Sequence, residues 1–78
     1  MIHERITVDP KIMFGKPVIK GTRITVELIL RKLAEGMTDE QIQAHHPHLA
    51  VKEIRAAAAF AADHLAREEI VVASGEAL

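Results

Sequence analysis

Apolar residues recur at two different periods along this chain, and the change of period divides it into elements. Ile6-Thr7-Val8 alternates and is β-branched, so it reads as a short strand stopped by Asp9-Pro10. Residues 11–14 form a loop whose Ile12, Met13 and Phe14 are expected to tuck under the first helix. Val18-Ile19 and Ile24 are short β-prone pieces around Lys20-Gly21-Thr22-Arg23, a tight connection with glycine at its bend. From Val26 the period becomes helical. Val26, Ile29, Leu30, Leu33 and Met37 share one face, predicting a helix over 26–35 with Thr25 as N-cap and Gly36 as stop. Thr38 and Gln41 spell a capping box for a second helix, with Met37 and Ile42 as its hydrophobic staple. Pro47 ends that helix at His46.

A third helix is expected over 51–67, burying Val51, Ile54, Ala58, Ala61 and Leu65. Its start is poorly signalled, because Leu49-Ala50 offers no capping side chain. Ile70-Val71-Val72 can add a last strand, pairing with Ile6-Thr7-Val8 or with another chain, and residues 74–78 read as a frayed tail. The expected fold class is mainly α with a small β part: an N-terminal strand and hairpin, then a three-helix, helix-turn-helix bundle resembling a winged helix. The division is a domain over 1–69 and a C-terminal strand or tail over 70–78.

Composition narrows the functional classes. A chain of 78 residues is one domain with a small core, for which dimerisation or a stable partner is an ordinary remedy. Without cysteine there is no disulfide framework and no Cys-based zinc site. No apolar run reaches the roughly 20 residues that span a bilayer, and residues 1–5 do not open a signal peptide, so a cytoplasmic protein is expected. Net charge is −1, yet residues 1–36 carry seven Lys/Arg against four Asp/Glu and residues 37–78 carry three against seven. That asymmetry places a charged contact surface on the N-terminal half, or else only solubilising charge.

Catalysis fails on inventory: there is no cysteine, Ser74 lies in the tail, and no carboxylate pair or phosphate loop stands at a strand–helix junction. His45-His46-Pro47-His48 invites a metal, but the proline breaks the ligand spacing and the histidines read as turn residues, so no metal or other cofactor is expected.

Helix-turn-helix geometry gives the third helix's leading face a use. Lys52 and Arg55 can contact phosphate or guanine edges, while Ala56 and Ala59 allow close approach, although Glu53 and Asp63 oppose phosphate. Lys16, Lys20 and Arg23 on the hairpin rim can serve as an arm on the backbone. Arg23 can equally hold the hairpin by bonding Asp9 or a local carbonyl, which is the simpler reading. So weakly basic a face needs a dimer reading two half-sites. The same alanine-lined side would also suit a protein partner, and the residues alone do not separate the two.

The run Asp9-Pro10, Gly15-Lys16-Pro17-Val18-Ile19 and Gly21-Thr22-Arg23-Ile24-Thr25-Val26, followed by Leu33-Ala34-Glu35-Gly36-Met37-Thr38, resembles the signature of the prokaryotic domain-of-unknown-function family 433. The resemblance extends over about residues 6–65 and implies a winged-helix or helix-turn-helix relative, of the kind proposed as a VapB-type antitoxin beside a PIN-like ribonuclease toxin. It implies operator DNA and such a toxin as partners, transcription regulation as the role, and an aromatic position occupied here by His46. Residues 67–78 would then cover the toxin, with Ile70, Val71 and Val72 among acidic neighbours folding on the partner and Arg67 reaching an acidic metal site. The rival expectation is an interaction module that binds no DNA, an obligate dimer or subunit. RNA binding is disfavoured because no aromatic platform exists for base stacking.

Overall fold

In a computed structural model, which describes residues 3–67, the elements run β1 (Ile6–Thr7), β2 (Val18–Ile19), α1 (Val26–Ala34), α2 (Asp39–His45) and α3 (Val51–Ala66), with a 3-10 turn at Met13–Gly15. The fold is mainly helical with a small antiparallel sheet. β1 pairs with β2 in the register Ile6 to Ile19 and Thr7 to Val18. β2 also bends back on itself: the Ile19 amide donates to the Ile24 carbonyl at 2.9 Å and Val18 bridges Thr25. Gly21, at φ +80, makes that bend. Thr22 fixes it, its hydroxyl donating to the Ile19 carbonyl at 2.7 Å and accepting from the Ile24 amide at 3.0 Å. Ile70-Val71-Val72 and the tail lie outside the described residues.

The helix ends follow their capping chemistry. Thr25 Oγ1 accepts from the Leu28 amide at 3.0 Å. Thr38 and Gln41 exchange both capping-box bonds, at 2.8 and 3.2 Å. α1 closes on Gly36 at φ +90, where the Gly36 and Met37 amides reach back to the Leu33 and Lys32 carbonyls. α3 is better started than its sequence promises. Ala50 has no side-chain acceptor, but Glu53 Oε1 reaches back to accept the Ala50 amide at 2.9 Å, half of a capping box working alone.

Every main element sends one isoleucine to the centre. Ile19 from β2, Ile29 from α1, Ile42 from α2 and Ile54 from α3 are 0–2% exposed, joined by Leu49 from the α2–α3 turn, Val26 and Ala57. The buried face of α3 differs from the expected stripe. Ile54, Ala57 and Ala61 turn inward while Val51, Ala58 and Leu65 are exposed. Phe60 decides the rotation. It is the bulkiest side chain on the helix, and it turns partly inward, meeting the His3 ring edge-on at 5.3 Å. Val51 lies at the helix start, and Leu65 at its far end is half exposed.

Phe14 also departs from expectation. Rather than packing under α1 it is 96% exposed, since Met13 and Phe14 both take left-handed backbone (φ +47 and +59) in a turn closed by the Gly15 and Lys16 amides. Left-handed backbone costs a non-glycine residue about 1–2 kcal/mol. Phe14→Gly is therefore expected to raise stability by up to about 1 kcal/mol, whereas Ile29→Ala should lower it by about 2–5 kcal/mol. Urea unfolding of the two variants beside the wild type checks both signs.

Candidate nucleic-acid interface

The α2–α3 corner is built by Pro47 and by two bonds across the turn. The Leu49 amide donates to the His46 carbonyl at 2.9 Å, and Gln43 Nε2 donates to the Leu49 carbonyl at 3.1 Å. With Leu49 buried as an anchor, the first two turns of α3 press Ile54 and Ala57 into the core and leave their opposite face to solvent. Lys52, Arg55 and Ala59 are exposed at i, i+3 and i+7, one outward stripe, and Ala56 beside them is half-buried. Arg55 is 77% exposed and its guanidinium lies 3.6 Å from the Asp39 carboxylate at the head of α2. So loose and exposed a pair is worth little and opens readily.

The hairpin cations do not act together. Lys20 joins the α3 face. Its amide donates to the Arg5 carbonyl at 2.8 Å, and the two residues line a shallow cleft with Glu4 and Glu53, at the first turn of α3. Lys16 points elsewhere, to α1, where Nζ is 3.1 Å from Glu27 Oε1. Arg23 is exposed and lines a hollow with Thr7, Ile12 and Thr22. Among the described residues it bonds neither Asp9 nor a local carbonyl: Asp9 Oδ1 instead accepts the Lys11 amide, and Thr22 holds the hairpin.

Two participants escaped the sequence reading. Arg5 continues the β1–β2 register, which sets it opposite Lys20; the signal was present in the alternation of Ile6-Thr7-Val8 but required knowing the partner strand. Like charges opposite one another on a ribbon are destabilising, and Glu4 and Glu53 in the same cleft offset them. Asp39, an acidic residue of the first turn of α2, is the second, as the partner of Arg55. The acids expected to oppose phosphate are partly occupied. Glu53 caps α3, and Asp63 Oδ2 is 2.8 Å from His3 Nε2, half-buried against Phe60. His45 Nδ1 sits 3.2 Å from Lys32 Nζ, away from the α3 face. Arg67 is exposed just after α3; Ile70, Val71 and Val72 lie outside the described residues.

Residues 6–61 match the family described as "Protein of unknown function (DUF433)", and the chain belongs to that family. An uncharacterized protein of Archaeoglobus fulgidus is 64% identical over 28 residues, which cover 36% of this chain and 78% of the archaeal one. Among solved structures, a DUF433 member protein from Anabaena variabilis superposes with a TM-score of 0.75 at 24% identity, over 81% of this chain. The match spans 62% of the length of that protein, and at this identity it speaks for the fold alone. No described helix is long and apolar enough to cross a membrane.

The Lys16 and Arg31 contacts, at 3.1 Å each, hold the Glu27 carboxyl below the usual glutamate range, Lys16 contributing most. A carboxylate with a lowered pKa stabilises the fold above its unfolded pKa and loses that contribution as pH falls through the folded value; solvent around these side chains keeps the effect small. A carbon-detected titration of the Glu27 carboxyl should show a midpoint below that of an ordinary glutamate, and Lys16→Ala should move it up.

Proposed function

We propose that this DUF433 protein is a small DNA-binding dimer that reads operator DNA through the head of α3, in the role of an antitoxin. The observation that carries the DNA reading is the outward stripe Lys52, Arg55 and Ala59 on a rigid corner, with the Arg5–Lys20 pair beside it. Lysine and arginine here can engage phosphates and guanine edges, and alanine lets the helix backbone sit deep in a major groove. Two cationic side chains per α3 head, backed by two on the ribbon, give weak binding singly and useful binding in pairs. Exchange of the Asp39 carboxylate for a phosphate on Arg55 replaces one charge-assisted contact with another and sets the position on the duplex, while sequence is read only where a side chain reaches a base edge.

The antitoxin role and a PIN-like ribonuclease partner are supported by the resemblance in the glycine-threonine-arginine region, with Arg67 and the segment beyond it as the partner-binding end. Lys16, held by Glu27 near α1, has no part in this face, and Arg23 lines a separate hollow with Thr7, Ile12 and Thr22.

Fluorescence anisotropy with duplex from the region upstream of the protein's own gene tests the DNA reading. Binding should weaken steeply with salt. Lys52→Ala/Arg55→Ala, which removes four cations from the dimer, should reduce affinity by about tenfold or more and flatten the log K against log salt slope by up to roughly 4. Arg5→Ala/Lys20→Ala should flatten the slope similarly with little change in sequence preference, while Lys16→Ala binds as the wild type does. Absence of any shift at low salt rejects DNA as the ligand and leaves the protein-interaction module.

A further inference from the structure

The second half of α3 carries a different surface from the first. Val26, Leu30 and Ala34 of α1 face Phe60, Ala61 and Leu65 of α3 across an open groove of about 520 Å³. Its walls are almost wholly apolar, and Leu65 on its edge is 52% exposed. Glu27 and Arg31, one helical turn apart on α1, form the charged rim. An aliphatic and aromatic groove of this size is a large exposure for a domain whose fully buried core is a handful of side chains.

We propose that a second copy of this chain covers the groove, α1 and the C-terminal half of α3 packing against the same elements of the partner about a twofold axis. A twofold contact must be self-complementary. The rim meets that condition: one acid and one base a turn apart let an antiparallel copy bring Glu27 to the partner's Arg31 and Arg31 to the partner's Glu27. The apolar walls then close on each other with Leu65 as the side chain each copy inserts.

The geometry suits the DNA reading, on which this part of the inference rests. Lys52 and Arg55 lie about nine residues ahead of the groove, so a dyad there leaves both α3 heads uncovered and sets them on the order of 30 Å apart at 1.5 Å per residue on each side. Successive major-groove half-sites are about 34 Å apart.

Oligomeric state in the absence of DNA tests the interface independently of the DNA reading. Full-length wild type, Leu65→Arg and Leu65→Cys are compared by sedimentation equilibrium, with circular dichroism to confirm that each is folded; Leu65 is exposed enough in one copy for substitution to spare the fold. Since the chain has no cysteine, Leu65→Cys reports directly on the approach of two copies. The expected result is a dimeric wild type, a folded monomer for Leu65→Arg with at least a hundredfold weaker self-association, and a disulfide-linked dimer for oxidised Leu65→Cys. Lys52→Cys, at the free head, should not cross-link.

A wild type that stays monomeric at high micromolar concentration overturns the proposal. Slow reaction of Leu65→Cys with a thiol reagent in that monomer would assign the groove to residues 68–78 of the same chain. A dimer that Leu65→Arg leaves intact, with no disulfide from Leu65→Cys, overturns this face as the interface. A groove-dependent dimer that binds no duplex leaves the proposal standing and rejects the DNA reading alone.

Discussion

Four isoleucines, one from each of β2, α1, α2 and α3, meet at the centre with almost no solvent contact, and the remaining structure depends on their meeting. Each such side chain contributes about 1.5–3 kcal/mol by leaving water, and its branched Cβ holds it in few rotamers. With so few residues in the core, no element can shift without opening a cavity at that centre. The short β1–β2 ribbon, only two residues per strand, persists because Ile19 is anchored there and because the chain folds straight from Ile24 into a capped helix. A ribbon of that length would not hold by its own hydrogen bonds.

That anchoring is what gives the surface charges a fixed arrangement. Ile54 together with Phe60 sets the rotation of α3, so Lys52 and Arg55 face outward, and Leu49 anchors the turn before them. Ile19 fixes the ribbon, and the ribbon's register then brings Arg5 beside Lys20 at the same end of α3. Electrostatic capacity is divided by the same geometry. Lys16 and Arg31 are drawn to Glu27 on the α1 side, leaving Arg5, Lys20, Lys52 and Arg55 near α3 among the carboxylates Glu4, Asp39 and Glu53.

α3 therefore has two ends with different surface chemistry. Its first two turns show Lys52 and Arg55 to solvent on the face opposite buried Ile54 and Ala57, and its last turns border an apolar groove shared with α1. One helix of 16 residues, about 24 Å long, keeps the proposed reading face apart from the proposed dimer face. The His3–Asp63 contact and the Phe60 ring mark the boundary, tying His3 to the second half of that helix.

Local chemistry was legible in the residues. Thr25, Thr38 with Gln41, Gly21, Gly36 and Pro47 all act within about five residues of themselves, and each element they bound lies where they place it. The helix-turn-helix order and the exposure of Lys52 and Arg55 followed from those boundaries. Rotation and distance were not legible. Which face of α3 is buried turns on Phe60 finding His3 across 57 positions of sequence, and Phe14 stays in solvent because two left-handed residues aim it there. Among the described residues Arg23 makes no bond to Asp9, whose Oδ1 accepts the Lys11 amide of its own loop, while Arg5 joins Lys20 only through strand pairing. Caps and turns are decided by neighbours along the chain, whereas the placing of side chains on a helix face or beside a distant charge is decided by which apolar volumes fill one small core together.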